Sequence, residues 1–317
     1  MEPHSNNWQR SITLFSKYGI CFAFALLTGI LAVISPPFRS LSNIENILQQ
    51  ISVNGIIAIG MTLVIITAGI DLSVGSVLAL SAVVATSFAH PGAHVLIVPV
   101  AVGILVGLAC GAINGILIAK KRLAPFIVTL GMMTVARGLA LVYTNGRPVI
   151  NLSDGYNEIG GGSIAAIPFP AIIFLIVVLL GVFILHFTRF GRYVYAVGGN
   201  ELAAKFSGVN TDRVLIGVYA LAGALTGVAG IVLSSRIMSG PPATGAGYEL
   251  DAIAAVVIGG TSLRGGIGSI VGTIIGVLII GVMNNGLDLL NVSSYWQQIV
   301  KGLIIVLAVL LDKNSKN

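Results

Sequence analysis

Apolar runs of bilayer length follow one another along almost the whole chain, and no other feature limits its fold so strongly. A helix needs roughly 20 apolar residues to cross hydrocarbon. Runs of this kind stand at 19–35, 47–68, 72–90, 94–119, 124–143, 166–187, 213–236, 250–260, 267–287 and 295–311. Backbone amides inside hydrocarbon must be paired within their own segment, so such runs fold as helices. The pattern predicts an all-α integral membrane protein of about ten transmembrane helices. The run 250–260 is too short to cross alone, and glycines blur its ends, so nine or eleven spans stay open. Only 9% of residues are charged and 56% are hydrophobic, whereas soluble domains carry about 25% charged residues.

Basic residues orient the chain, because cytoplasmic loops collect Lys and Arg. With both termini inside, Arg10, Lys17, Lys120, Lys121, Arg122, Arg189, Arg192, Lys205, Arg213, Arg264, Lys313 and Lys316 face the cytoplasm. Only Arg39, Arg147 and Arg236 fall outside, with Arg137 and Lys301 embedded. The net charge of +6 therefore marks topology and not nucleic-acid binding. The first apolar run is followed by "SPPF", which lacks a small-x-small cleavage pattern, so it is expected to stay as an anchor. The expected plan is one transmembrane domain over 1–317, with cytoplasmic segments at 1–18, 188–212 and 312–317. Cys21 and Cys110 lie in predicted helices and read as inert packing.

Three fragments recur in order. "GIDL" at Gly69–Leu72 resembles "GYEL" at Gly247–Leu250, Asn114-Gly115 resembles Asn285-Gly286, and Arg137-Gly138 resembles Lys301-Gly302. Each pair lies five predicted spans apart, an odd number, which gives two halves of opposite orientation. Inverted repeats of this kind place a path between the halves. Glycines recur every four residues at Gly103, Gly107, Gly111 and Gly115, and again at Gly268, Gly272 and Gly276. Such stripes admit a close neighbouring helix, either within one subunit or across a dimer.

Polar side chains at membrane depth are costly and point to a path or a gate. Asn54, Thr62, Asn114, Asn284 and Asn285 are the candidates for a path, since an amide both donates and accepts and so suits a neutral polyol. Asp71 and Glu249 stand at predicted helix starts, where capping is favoured over transport. Arg137 and Lys301 either anchor packing or reach toward an interface. No catalytic or metal site is expected: His4, His90, His94 and His186 have no ligand spacing, and neither G-x-S-x-G nor H-E-x-x-H occurs.

The stretch "RFGRYVYAVGGNELAAKFSGVN", Arg189–Asn210, is out of keeping with the rest. It reads as a single short helix, with Asn200 as N-cap, Glu201 in the first turn and Gly208 as the stop. Leu202 and Phe206 are four apart and share a face, flanked by Ala203 and Lys205. This apolar knob fits either a protein groove or the lipid headgroups, where Tyr193 and Tyr195 would join an aromatic belt.

Resemblance separates those two readings. "NILQQISVNGIIAIGMTLVIITAGIDLSVGS", "GRYVYAVGGNELAAKFSGVN" and "GYELDAIAAVVIGGTSLRGG" resemble signature stretches of the permease subunits of bacterial ATP-binding-cassette importers for monosaccharides, of the ribose type, over nearly all of Phe38–Leu311. The resemblance implies a homodimer of permeases in the inner membrane. It further implies two cytoplasmic ATPase subunits that carry ATP and Mg, and a periplasmic sugar-binding protein. Asn200, Glu201, Leu202, Ala203, Lys205, Phe206 and Gly208 then form the coupling helix seated in an ATPase cleft. Arg39, Arg147 and Arg236 become candidates for docking the binding protein. One departure is visible: the family often has a basic residue at the position of Ile267, whereas here the cation is Arg264.

The chain carries no G-x-x-x-x-G-K-[ST] phosphate loop, so it holds no nucleotide site of that type, and no cofactor is expected in it. A secondary sugar transporter driven by an ion gradient would also suit an inverted repeat. Its coupling groups should lie at mid-membrane, whereas Asp71 and Glu249 are expected near helix ends.

Overall fold

The computed structural model describes residues 5–314, with side chains at 19–304 and 306; His4 and Lys316 lie outside the described residues. All ten apolar runs are helical. The elements are α1 (Ser5–Ile34), α2 (Leu41–Ile66), α3 (Val74–Ser87), α4 (Ile97–Lys121), α5 (Pro125–Thr144) and α6 (Asp154–Gly161). A two-stranded antiparallel turn, β1 (Ser163–Ile164) with β2 (Ile167–Pro168), leads into α7 (Phe169–Val182), which a π-helical turn prolongs to Phe187. Then come α8 (Arg189–Gly199), α9 (Glu201–Phe206), α10 (Thr211–Arg236), α11 (Tyr248–Ile258), α12 (Ile270–Leu289) and α13 (Ser294–Asn314). Among the described residues six helices are long and apolar enough to cross a membrane: α2, α4, α5, α7 with its extension, α10 and α12.

The run expected at 72–90 is cut to the 14 residues of α3. Its first residues belong to an irregular stretch, Thr67–Ser73, in which Ala68 has φ +60°. The Asp71 carboxylate holds this stretch by accepting from the Ser73 amide at 2.9 Å and the Ser73 hydroxyl at 2.6 Å. Asp71 thus shapes the turn before α3 and is not its cap; Ser73 occupies the N-cap position. Glu249 lies in the first turn of α11, where its carboxylate accepts from the Gly247 amide at 3.2 Å.

Two sets of four helices share one plan. In α2–α5 and again in α10–α13 the order is long, short, long, long. Asn43 at the start of α2 bonds Asn285 near the end of α12, while Thr62 near the end of α2 bonds Thr273 near the start of α12. Those helices are therefore antiparallel. In the same way α4 runs against α10, with Gly103 at Ile231 and Gly115 at Ile216. Arg236 at the end of α10 reaches Gln49 in α2, and Gly60 meets Ala222, so α2 and α10 are also antiparallel. Together these contacts make α4 parallel to α2 and α12 parallel to α10. The long helices α2 and α4 thus oppose their counterparts α10 and α12, the inverted relation that the fragments suggest.

The glycine stripe on α4 closes on α10 within the same chain. A Cβ at Gly107 would meet the Gly223 carbonyl, and one at Gly111 the Tyr219 carbonyl, so the two backbones touch. Gly272 and Gly276 likewise press on Gly259 and Ala255 of this chain. Of the two readings of the stripes, packing inside one subunit is the one the structure contains. The outward faces of α4, α5 and α7 expose Leu105, Val142 and Leu179, as lipid contact requires.

Candidate functional site

The loop between α7 and α10 holds two helices where the sequence suggests one. Thr188 caps α8, its hydroxyl accepting from the Gly191 amide at 3.1 Å. The pair Gly198-Gly199 ends α8 and does not start the loop, for a packing reason. A Cβ at Gly198 would strike the Ile66 carbonyl at the end of α2. The Gly266 amide donates to that same carbonyl at 2.8 Å. One turn earlier the Tyr195 hydroxyl donates to the Gly268 carbonyl at 2.9 Å. The glycine-rich segment before α12, with exposed Arg264, is thus clamped to α8 and α2.

On this mount sits α9, six residues long rather than about seven. Asn200 caps it, its side-chain oxygen accepting from the Ala203 amide at 2.9 Å. Gly208, at φ +85°, closes it, a conformation that favours glycine. Ala204 is buried against the body, while Leu202 and Phe206 are 69% and 90% exposed. Ala203 and Lys205 are exposed as well. Six residues cannot hold a helix in water by themselves, so α9 is shaped by its caps and by Ala204.

Glu201 is not simply a solvated charge. Arg122, in a left-handed backbone conformation between α4 and α5, donates to Glu201 at 2.6 Å and to Asp212 at the start of α10 at 2.8 Å. A cavity of about 480 Å³ opens beside this network, lined by Gly69, Arg122, Asn200, Glu201, Leu215 and Tyr219 among others. At its inner end the Tyr219 hydroxyl is buried without a hydrogen-bond partner. Lys120, Lys121, Arg122, Lys205, Arg213 and Arg264 gather at this end of the bundle.

The five path candidates do not converge on one channel. Thr62 sits between α2 and α12, its hydroxyl 2.7 Å from that of Thr273. Asn114 in α4 donates to Ser73 at 3.1 Å, and Asn285 pairs with Asn43 at 2.8 and 3.0 Å. Asn284 faces Asp251 across 3.5 Å, a distance at the limit of hydrogen bonding. All five are buried, and the side-chain oxygens of Asn54, Asn114 and Asn284 have no partner. None of the five lines the cavity beside α9. At the opposite end Arg39 and Arg147 are exposed, whereas Arg236 is half-buried and donates to Gln49 at 3.0 Å.

Comparison with known proteins now bears on this arrangement. Residues 43–309 match the family described as branched-chain amino acid transport system / permease component. The chain belongs to that permease family. The permease is 51% identical over 298 residues to the ribose import permease protein RbsC of Escherichia coli (strain K12), covering 93% of this chain and 92% of that protein. It is 49% identical over 304 residues to the ribose import permease protein RbsC of Bacillus subtilis (strain 168), covering 95% and 94%. The D-allose transport system permease protein AlsC of Escherichia coli (strain K12) is 40% identical over 300 residues, covering 94% and 92%. No solved structure matches the permease.

The sequence of the permease pointed neither to α8, nor to Asp251, nor to the bonds that Arg122 makes. The Lys120-Lys121-Arg122 cluster was visible as a helix end, but its partners lie 79 and 90 residues away. Asp251 has a clearer signal. It is an acid inside the short run 250–260, and it meets the embedded cation Lys301 at 2.9 Å.

Proposed function

We propose that this permease is the membrane-spanning subunit of an ATP-binding-cassette importer that carries a monosaccharide, ribose, across the bacterial inner membrane. The basic end faces the cytoplasm, with both termini, since Lys and Arg concentrate on that side. Two copies of the chain pair around a path. An ATPase subunit that binds ATP and Mg receives α9 as its coupling helix, and a periplasmic sugar-binding protein docks at the opposite end, where Arg39, Arg147 and Arg236 lie.

The observation that carries this reading is α9 itself. It is a capped, rigidly mounted helix on the charged end of a membrane bundle that leaves Leu202 and Phe206 exposed. Apolar side chains held out by caps are suited to a protein groove. The ribose and D-allose permeases that this chain resembles support the cargo class.

The test is reconstitution of the permease with its ATPase and binding protein in proteoliposomes. Tritiated ribose should accumulate with ATP and persist under an uncoupler. Uptake that follows the ion gradient and ignores ATP would give the secondary-transporter reading instead. Competition by leucine and not by ribose would give the amino-acid reading that the family description carries.

A further inference from the structure

The molecule has a second polar hollow, at the end away from α9. It lies between the first turn of α11 and the first two turns of α13, has a volume of about 470 Å³, and is lined by Glu249, Ser294, Gln297, Gln298 and Lys301. Small-ligand pockets run from about 300 to 1,000 Å³, so a monosaccharide fits.

Helix α13 is built for two environments. Ser294, Gln297, Gln298 and Lys301 follow i, i+3, i+4, i+7 spacing and share one face. Tyr295, Trp296, Ile299 and Leu303, all exposed, occupy the other. Lys301 lies seven residues into the helix, about 10 Å below its start. There its ammonium meets Asp251 at 2.9 Å and forms the floor of the cup. Asn284 stands behind Asp251, with its side-chain oxygen buried and unpartnered.

This polar face opens on the surface of the single chain, over the first turn of α11 and the first two turns of α13. Carboxylate and amide side chains turned to lipid there would be costly, so the face requires water or a polar ligand. Its charges nearly cancel. Glu249 and Asp251 are balanced by Lys301 and by Arg137, which donates to the Pro242 and Thr244 carbonyls at 2.6 and 2.8 Å, in the segment entering α11. With no excess cation the cup has nothing to draw a phosphate or carboxylate. The Gln297 nitrogen already donates to Asp288 and to the Val292 carbonyl at 2.7 and 3.1 Å, so that side chain offers its oxygen as an acceptor. With the Gln298 amide, the Ser294 hydroxyl, the Glu249 carboxylate and the Lys301 ammonium it gives the mixture of donors and acceptors that vicinal hydroxyls need.

We propose that the cup of Glu249, Ser294, Gln297, Gln298 and Lys301 holds the hydroxyls of the neutral sugar during its passage, so that the path follows the α11–α13 face and not the buried asparagines. The proposal rests on the sugar-importer reading above.

Two measurements on the assembled transporter test it. First, Gln297→Leu and Gln298→Leu should each lower the rate of tritiated ribose accumulation at least about tenfold. Tyr295→Leu, on the outer face, should leave it near wild type, with the ATPase co-purifying in all three. Wild-type uptake in both Gln variants, or an equal loss in Tyr295→Leu, overturns the proposal. Second, in a Cys21→Ser, Cys110→Ala background, Gln298→Cys should react with a membrane-impermeant maleimide and be protected by ribose plus binding protein, whereas Ile299→Cys should react slowly. An unreactive Gln298→Cys, or labelling that ribose does not slow, overturns it even where the leucine variants fail to assemble. Ribose-5-phosphate should give no protection, and protection by it would replace the neutral-ligand assignment. If the unaltered transporter accumulates no ribose, it is the importer reading that fails.

Discussion

Replacing Leu202 and Phe206 together by Asp separates what α9 does for its own chain from what it does for a partner. Both side chains already face solvent, at 69% and 90% exposure. Exposed substitutions of that kind usually change stability by within about 0.5 kcal/mol. The Asn200 and Gly208 ends of the helix are left intact. The unfolding temperature of the detergent-solubilised permease should therefore move by no more than about 2 °C. In a partner groove the balance differs, since a buried Leu or Phe contributes about 1.5–3 kcal/mol. Losing both removes about 3–6 kcal/mol of binding, or roughly a hundredfold to ten-thousandfold in affinity. Burying two carboxylates in their place would add a further cost. The assay is retention of the ATPase on tagged permease, alongside ribose accumulation in cells. A stable variant that loses its ATPase supports the reasoning. Retention of the ATPase at the wild-type ratio with undiminished uptake would refute it.

The α4–α10 contact makes a different demand. Gly111→Val would place a branched side chain against the Tyr219 carbonyl, where only backbone can yield, so it should cost at least about 1–3 kcal/mol and lower the unfolding temperature. Gly138→Ala, in α5, meets nothing within 4 Å and should be neutral or stabilising by up to about 1 kcal/mol, measured in the same thermal scan. Arg122→Ala removes two ion pairs whose side chains are 40–48% exposed, so stability should fall by no more than about 1 kcal/mol for each pair. Its effect should instead show as more ATP hydrolysed per ribose imported, and an unchanged ratio would leave Arg122 without a part in coupling.

What the sequence made legible follows from the kind of signal each feature sends. Helices in hydrocarbon are announced by length and composition, so all ten runs were visible, the short one at 250–260 included. Boundaries were less so. The break before α3 depends on the Asp71 bonds to Ser73, and Asp71 read as a cap because both arrangements put an acid ahead of a helix. α8 was hidden because Gly198-Gly199 reads as a breaker, whereas its bareness serves contact with the Ile66 carbonyl. Caps are local, and Asn200 and Gly208 both stand where the pattern placed them. The direction of a polar side chain in a membrane helix is not local. Asn285 and Gln298 look alike in sequence, yet one is locked to Asn43 and the other lines a cup. Glycine stripes have the same ambiguity, since spacing shows that a helix comes close but not which one.

The attachments of α9 are unequal, and the inequality carries a mechanical consequence. Through α8 the link toward α2 and the segment before α12 is made of backbone contacts, Gly198 on Ile66 and Gly266 bonded to Ile66, together with the Tyr195 hydroxyl bonded to Gly268. These groups are held close and cannot slide without losing buried hydrogen bonds, each costly to leave unmade. Toward α4 the link is Arg122, whose exposed ion pairs contribute little and can exchange with water, whereas α8 and α9 also pack directly on α10, with Phe190 against Gly217. The α4–α10 pair is itself stiff, because its glycines leave no side chains to rearrange. A load applied through Leu202 and Phe206 would therefore reach α10 as well as the pair α2–α12. Helix α11 packs against α2 and α12 as well as against α13. Motion of that pair would thus arrive at the wall of the cup that holds Glu249, and would give the two ends of the bundle a shared lever.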